Sequence, residues 1–151
     1  MSLDVTLISE TPVVRKGTGI FVRDKGATIE LTVEQARERW PAKADEIEEH
    51  EIETNELYTA NITHNLGEMA RAVSEQFYQA LWRPEDLKAT QAMDLLKILR
   101  GGIQIMETRS RELRKLNPEN GWGNFDQLLA FARKYENACR EYPTAKIEVS
   151  R

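Results

Sequence analysis

The feature that most constrains the fold is an apolar residue that recurs every three or four positions through the middle of the chain. Seven positions follow this spacing: Tyr58, Ile62, Leu66, Met69, Val73, Phe77 and Leu81. Because an α-helix turns once in about 3.6 residues, the spacing places these side chains on one stripe of a helix. The helix can begin near Asn55, or at Thr63 after an extended segment. It ends before Pro84, because the residue that precedes a proline avoids the α region.

Three further helices are predicted from capping residues and apolar spacing. Their predicted N-terminal residues are Thr32, with Gln35 as its capping-box partner, Pro84 or Thr90, and Asn124, with Gln127. Pro41 ends the first of them. Gly101 and Gly102 fall inside the second, where each costs about 1 kcal/mol relative to alanine. Close packing, the approach of a ligand or tolerated flexibility each explains this pair.

Strands are predicted at both ends of the chain from alternation and turn signals. They are residues 3–9, a hairpin that pairs residues 20–23 with residues 28–31 around a turn at residues 24–26, and residues 145–150. Residues 11–19 are predicted to be a loop, because they contain one proline and two glycines. The acidic segment 44–56 indicates a short exposed helix or a mobile connector.

These elements predict an α+β fold, in which a small antiparallel sheet, from the N-terminal hairpin plus the C-terminal strand, packs on about four helices. An all-helical bundle with an attached hairpin is the alternative. A length of 151 residues, with 40% apolar residues, is typical of a single domain, here residues 1–151.

Composition excludes several classes of function. A formal net charge of -4 disfavours a protein that binds a nucleic acid polymer, which normally carries a basic surface. No apolar run approaches the roughly 18 residues of a membrane-spanning helix, so no membrane association is expected. The single cysteine, Cys139, excludes an internal disulfide and favours a cytoplasmic location.

Four polar side chains lie close together within residues 58–70: Asn61, His64, Asn65 and Glu68. In a helix they share the face opposite the apolar stripe. Such a face suits a binding site, and it suits an ordinary solvent-exposed surface equally well. If the helix instead begins after Thr63, the Thr63 hydroxyl can cap its first turn, and the N–H groups around His64 and Asn65 can receive an anion.

A catalytic or metal site finds little support in the sequence. The chain has two histidines, and His64 with Glu68 offers two of the three or four ligands that a metal needs. Cys139 lies on the apolar stripe of the last helix, which predicts a core residue rather than a nucleophile. We therefore predict no catalytic residue, no metal and no cofactor.

Three tryptophans stand beside turns, and a binding function has more support from them. They occur in Trp40-Pro41, Trp82-Arg83-Pro84 and Gly121-Trp122-Gly123. A tryptophan next to an arginine suits stacking on a planar group and pairing with a phosphate or carboxylate. Structural roles are equally open: Trp82 can staple a helix end, and Trp122 can plug the core edge under its loop. Lys146 and Arg151 can complement anions or solubilise a sheet edge.

Four segments resemble a family of small uncharacterised proteins from bacteriophages and bacteria. They are NITHNLGEMA (61–70), ALWRPEDL (80–87), LNPENGWGNFDQLLAFARKYENAC (116–139) and YPTAKIEVSR (142–151). The family pattern is NITHNLxxMA, LWRPEE, NPxNGWG and a final VSR, and the resemblance covers residues 55–151 and the start LDV. It implies a source and no activity. Related sequences often have a glycine-containing break, AGIY, which is absent here, so we expect a continuous helix through residues 71–78.

The favoured hypothesis is a non-catalytic binding protein, a phage accessory or anti-defence factor that sequesters a small polar, nucleotide-like ligand in the host cytoplasm. The predicted ligand-binding residues are Asn61, Thr63, His64, Asn65, Glu68, Trp82, Arg83, Asn120 and Trp122. The alternative is a protein–protein inhibitor or adaptor that docks on a host protein through the acidic segment 44–56. A metal-assisted hydrolase that uses His64 and Glu68 is the third. A homo-oligomer is compatible with the edge strands.

Overall fold

The computed structural model describes residues 1–24 and 27–151 of the chain. The contacts divide the chain into two compact units. The larger unit consists of Met1–Glu10 and Glu56–Arg151, and the smaller unit of Thr11–Asn55. The sequence predicts one domain over residues 1–151, and both units lie within that span.

The elements confirm the α+β class. The strands are β1 (Ser2–Gly17), β2 (Phe21–Asp24), β3 (Ala27–Glu30), β4 (His50–Thr63) and β5 (Lys146–Ser150). The α-helices are α1 (Val33–Arg39), α2 (Gly67–Val73), α3 (Glu75–Trp82), α4 (Leu96–Thr108), α5 (Ser110–Arg114) and α6 (Phe125–Glu141), and short 3₁₀ helices cover Pro41–Glu46, His64–Leu66, Pro84–Leu87 and Ala92–Leu95. Within the described residues, none of the helices is both long enough and apolar enough to cross a membrane.

Three strands form an antiparallel sheet in the order β4-β1-β5. As predicted, both ends of the chain contribute, because β1 pairs with β5 from Asp4 opposite Ser150 to Ile8 opposite Lys146. One face of β1 is fully buried near the start of the strand, where Leu3, Val5 and Leu7 have 0% exposure. Because successive side chains of a strand point to opposite faces, these three side chains share one face, which packs into the same core as residues of the helices.

The predicted hairpin forms in the smaller unit as a two-stranded sheet of its own. Strands β2 and β3 pair from Phe21 opposite Glu30 to Asp24 opposite Ala27. The predicted turn at residues 24–26 lies partly outside the described residues. Helix α1 has the predicted capping box: the Gln35 N–H donates to Thr32 Oγ1 at 3.2 Å, and the Thr32 N–H donates to Gln35 Oε1 at 3.0 Å.

Two predictions for the smaller unit need correction. Residues 11–19 were predicted to be a loop, which is wrong, because β1 continues to Gly17. Pairing of β1 with β5 ends at Ile8, and a proline, which lacks an N–H, is tolerated on the side of the strand that β5 no longer covers. The prediction of a short exposed helix or connector in the acidic segment 44–56 is right only for its start, because the 3₁₀ helix Pro41–Glu46 ends there and β4 begins at His50.

The prediction of one long helix between residues 58 and 81 is also wrong. Strand β4 extends to Thr63, which bears out the alternative of an extended approach, and the helical part is interrupted at Ser74. Ser74 has extended backbone angles, and its hydroxyl accepts a hydrogen bond from the Phe77 N–H at 3.0 Å. Because this is the geometry of an N-cap, the chain begins a new helix there instead of continuing α2.

The glycine pair in α4 has two different explanations. A Cβ on Gly102 would lie 2.1 Å from Phe77 Cδ2, whereas a Cβ on Gly101 would have nothing within 4 Å. Close packing therefore explains Gly102, and the fold places no such demand on Gly101. The predicted start of α6 is confirmed, because the Asn124 side chain accepts from the Gln127 N–H at 2.9 Å. Pro84 begins only the separate 3₁₀ helix Pro84–Leu87. The helix predicted to start at Pro84 or Thr90 begins later, with the 3₁₀ helix Ala92–Leu95 followed by α4.

Two buried acidic groups and a partly buried one predict an alkaline limit to stability. Burial raises the pKa of the Cys139 thiol from 9.0 to about 12, and that of Tyr58 from 10.0 to about 12. It also raises the pKa of Tyr135, whose ring stacks on Tyr58 with centroids 6.1 Å apart. These folded-state pKa values exceed the unfolded ones. The contribution of the three groups to the free energy of unfolding is therefore complete below about pH 9 and is lost as the pH rises towards about 12.

Urea unfolding between about pH 8 and pH 11 checks this expectation. Tyr135→Phe is the matched variant, because it deletes a buried hydroxyl that has no hydrogen-bond partner among the described residues. We expect the variant to lose less stability over this range than the parent chain does. A free energy of unfolding that stays constant across the range would contradict the burial of these groups.

Candidate functional site

The segment that carries the polar cluster changes conformation at Thr63, where β4 meets the 3₁₀ helix His64–Leu66. The Thr63 side chain caps this turn as predicted, because Oγ1 accepts from the Asn65 N–H at 3.3 Å. The His64 N–H donates to the Met1 carbonyl at 3.5 Å. These two N–H groups therefore already have acceptors, and the predicted anion site at this turn is wrong.

His64 is joined to Trp82 by a side-chain hydrogen bond. The indole Nε1–H donates to His64 Nδ1 at 2.9 Å. Because an indole N–H can only donate, Nδ1 must be an acceptor, so the imidazole is neutral and carries its hydrogen on Nε2. Trp82 is 3% exposed, and its burial fixes the orientation of the imidazole.

Trp82 also belongs to an aromatic stack along α3. Its ring lies parallel to that of Tyr78, with centroids 5.4 Å apart and planes 10° apart. The Arg71 guanidinium lies over the other ring of this pair, 4.0 Å from the Tyr78 centroid. Trp82 is therefore held by stacking on one ring and by a hydrogen bond to His64, which supports its predicted structural role at the helix end.

The hydrogen bond between Trp82 and His64 is expected to contribute about 1 kcal/mol to stability, as a typical buried neutral pair does. Trp82→Phe removes the donor and keeps an aromatic ring, and His64→Ala removes the acceptor. The coupling energy from a double-mutant cycle, measured by urea unfolding, isolates this bond from the lost packing. Strictly additive effects of the two changes would show that the bond adds nothing to stability.

The loop of residues 120–123, named here the NGWG loop, packs on this segment. A Cβ on Gly123 would lie 2.7 Å from Thr63 Cγ2 and 2.9 Å from Leu66 Cγ. Gly123 has φ +96°, which a side chain rarely adopts. The close approach therefore depends on the absence of a side chain at this position, and it brings the loop onto the start of the helical segment.

Trp122 lies at the tip of the NGWG loop with 69% of its surface exposed. Its backbone is nevertheless held on both sides: the N–H donates to Asn120 Oδ1 at 3.0 Å, and the carbonyl accepts from Asn65 Nδ2 at 3.4 Å. The interpretation of Trp122 as a plug of the core edge is therefore wrong, since the two glycine neighbours and these bonds turn the indole outwards.

The structure brings together only part of the predicted site. The residues that meet at the start of α2 are Thr63, His64, Asn65, Trp82, Asn120 and Trp122, all in the larger unit. Asn61 instead lies on β4, where its amide donates to Ser2 Oγ at 2.8 Å and also to an Asp4 carboxylate oxygen. Glu68 is an exposed residue in the first turn of α2.

Arg83 is occupied by a local ion pair. Its Nε donates to Asp86 Oδ2 at 2.9 Å, and this hydrogen bond raises the pKa of Arg83 above its usual range. Arg151 donates to the Trp82 carbonyl at 2.7 Å and pairs with Glu85. Arg151 thus supports the Trp82 segment, a role different from the anion and solubility roles predicted for it.

Two residues of the stack were missed by sequence reasoning. Tyr78 precedes Trp82 by four residues, and Arg71 precedes Tyr78 by seven, which are helical intervals. This signal was available, although the break at Ser74 separates Arg71 from the other two. The contact between Gly123 and Thr63 has no local signal, because it joins residues from distant parts of the chain.

The predicted pair His64 and Glu68 does not belong to a recognisable metal centre. Among residues 1–24 and 27–151, no group of three or more His, Cys, Asp or Glu side chains is placed to hold a metal ion. His64 Nδ1 already accepts the Trp82 N–H, which leaves Nε2 as the remaining ring nitrogen. The site therefore offers a metal at most one imidazole nitrogen.

The chemistry that this arrangement offers is binding. Trp122 presents an aromatic face, Asn65 and Asn120 carry amide groups, and His64 carries an imidazole N–H. Groups of these kinds stack on a planar polar molecule and form hydrogen bonds with its edges. Comparison with protein-family models, with curated proteins and with solved structures finds no match to this chain.

Proposed function

We propose that the protein is a non-catalytic binding protein that holds a small, planar, polar ligand of the nucleotide type against Trp122. The observation that supports this most is an indole that is 69% exposed on a backbone held by Asn120 and Asn65. Because this backbone is already held, only the Trp122 side chain has to lose conformational freedom when a ligand binds. Stacking of one base on such a ring contributes about 1–3 kcal/mol.

Specificity in this proposal comes from polar groups of the segment on which the NGWG loop packs. The Asn65 amide reaches the Trp122 carbonyl, so it lies at the base of the NGWG loop. The neutral His64 supplies an N–H at Nε2, and the buried Trp82 keeps the imidazole in that tautomer. An amide that both donates and accepts, together with an imidazole N–H, can read the hydrogen-bonding edge of a base.

The resemblance to small phage and bacterial proteins supports a biological setting for this proposal. In that setting the protein is a phage accessory or anti-defence factor in the host cytoplasm. It would lower the free concentration of a host nucleotide signal by sequestration, without any chemical step. Sequestration of this kind requires a dissociation constant below the concentration of the signal.

Titration calorimetry of the full chain with a panel of cyclic and linear nucleotides tests the proposal. We expect one class to bind, and Trp122→Ala to weaken that binding about tenfold or more, since the stacking contribution is lost. Trp40→Ala is the matched control, because Trp40 lies in the smaller unit and is 38% exposed. A folded chain that binds no member of the panel would contradict the proposal.

A second candidate is an adaptor that docks on a basic host protein through the smaller unit. The supporting observation is that six carboxylates within nine residues are all exposed: Asp45, Glu46, Glu48, Glu49, Glu51 and Glu53. Opposite charge speeds encounter and selects among partners. A pull-down from host extract that survives charge reversal of these six residues would count against this candidate.

A further inference from the structure

An open groove of about 490 Å³ runs between α4 and α6 in the larger unit. Its charged lining residues are Arg100, Arg133, Arg140, Glu107 and Glu136. Three positive and two negative groups give the groove a formal charge of +1, whereas the chain as a whole carries -4. The groove is therefore a locally basic surface on an acidic protein.

A buried carboxylate holds two of the three arginines in place. Glu136 is 8% exposed, and its Oε1 accepts from Arg100 Nε at 2.9 Å and lies 3.2 Å from Arg140 Nε. Both arginines use Nε for this contact, which leaves their terminal nitrogens for other partners. Arg140 Nη2 donates to Asn137 Oδ1 at 2.9 Å, whereas the Arg100 side chain is more than half exposed. Because Glu136 is buried, it fixes where the two guanidinium groups stand before any ligand arrives.

Arg100 and Arg133 in the groove use fewer of their N–H donors on carboxylates than Arg114 does outside it. Outside the groove, Arg114 uses both terminal nitrogens on Asp126, at 3.1 Å to Oδ2 and 2.9 Å to Oδ1. Within the groove, Arg100 donates through Nε to one oxygen of Glu136, and Arg133 donates through Nη2 to one oxygen of Glu107. Their side chains are 56% and 55% exposed, so their remaining N–H donors are accessible from solvent.

We propose that this groove is a second binding site, which takes an anion of the phosphate type. Arginine forks suit tetrahedral oxyanions because they offer parallel N–H donors and a permanent positive charge. The site is separate from Trp122: Arg133 lies eight residues after Phe125, about 12 Å along α6, and Arg140 about 22 Å along it. A mononucleotide stacked on Trp122 therefore does not fill the groove.

A phosphate titration of the full ¹⁵N-labelled chain, followed by NMR at constant ionic strength, tests this site. Inorganic phosphate is the first probe, and pyrophosphate distinguishes a site for one phosphate from a site for a polyphosphate. We expect saturable shifts of the Arg100 and Arg133 Nε–Hε signals. Arg133→Gln is expected to weaken binding about tenfold, as the loss of a charge-assisted hydrogen bond does.

Arg114→Gln is the matched control, because it removes an arginine of similar exposure whose pair with Asp126 lies outside the groove. It should leave phosphate binding unchanged. Arg100→Gln provides a second variant within the groove, should Arg133→Gln fail to fold. Shifts that do not saturate, or an equal loss of binding in Arg114→Gln and Arg133→Gln, would overturn the proposal and leave the ion pairs as ties between α4 and α6.

Discussion

Replacing Gly123 by alanine is expected to destabilise the chain by about 3 kcal/mol, from strain and overpacking together. The backbone at Gly123 has φ +96°, and the added Cβ would lie 2.7 Å from Thr63 Cγ2 and 2.9 Å from Leu66 Cγ. Leu66 is fully buried, so displacing it would disturb the packing of the core. The same change is expected to displace the NGWG loop and to weaken any ligand binding at Trp122.

Gly121→Ala is the matched control for this prediction. Gly121 also has a positive φ, +75°, but a Cβ there would have nothing within 4 Å. Its expected cost is therefore the backbone term alone, about 1 kcal/mol. Urea unfolding followed by circular dichroism compares the two variants. Equal losses would show that the contact of Gly123 with Thr63 and Leu66 does not constrain the loop.

Gly102→Ala is expected to destabilise the chain by about 3 kcal/mol, while Gly101→Ala stabilises it by up to about 1 kcal/mol. A Cβ on Gly102 would lie 2.1 to 2.7 Å from three carbons of the Phe77 ring, and that ring is fully buried. Gly101 faces open space, so alanine there gains helix propensity without a clash. The two neighbouring substitutions thus have opposite signs.

Thermal and urea unfolding of both variants measure this difference. A helix that tolerated both substitutions equally would show that α3 and α4 do not pack at Gly102. Phe77→Leu supplies a further check through a double-mutant cycle, because Gly102→Ala should cost less stability when the side chain opposite it is smaller. Since Phe77→Leu alone also removes core packing, the loss in the double variant is compared with the sum of the two single losses. Losses that simply add would place the cause of the Gly102→Ala effect elsewhere in α4.

The sequence predicts local features well where a capping residue specifies them. Thr32 and Asn124 each cap a helix as expected, and the alternation of Leu3, Val5 and Leu7 marks the buried side chains at the start of β1. Each capping side chain and the N–H group that it satisfies lie three residues apart in the sequence. A local pattern therefore contains the whole interaction.

The apolar spacing before residue 66 is ambiguous for a geometrical reason. An interval of four residues, as from Tyr58 to Ile62, keeps side chains on one face of a helix and also on one face of a strand, because four is twice the strand period. The chain has the strand conformation up to Thr63, in β4. Spacing alone does not separate the two conformations, and pairing with β1 decides between them.

The break at Ser74 was locally visible, since a serine followed by Glu75 is a common helix start. The interval from Val73 to Phe77 is again four, so the apolar stripe passes through the break without a gap.

The contacts of the candidate site, unlike the caps, join residues that are far apart in the sequence. Asn65 bonds the Trp122 carbonyl across 57 residues of sequence, and no local pattern contains such a contact.

The indole N–H signals of the three tryptophans offer the most direct test of the central claim, that Trp122 is a positioned stacking surface for a nucleotide-like ligand. Trp40, Trp82 and Trp122 report on the smaller unit, the core and the NGWG loop, being 38%, 3% and 69% exposed. In an NMR titration with the nucleotide panel, we predict that one class shifts the Trp122 signal saturably and leaves the Trp40 signal in place. A Trp122 signal that no nucleotide moves, or that moves only in parallel with Trp40, would contradict the claim.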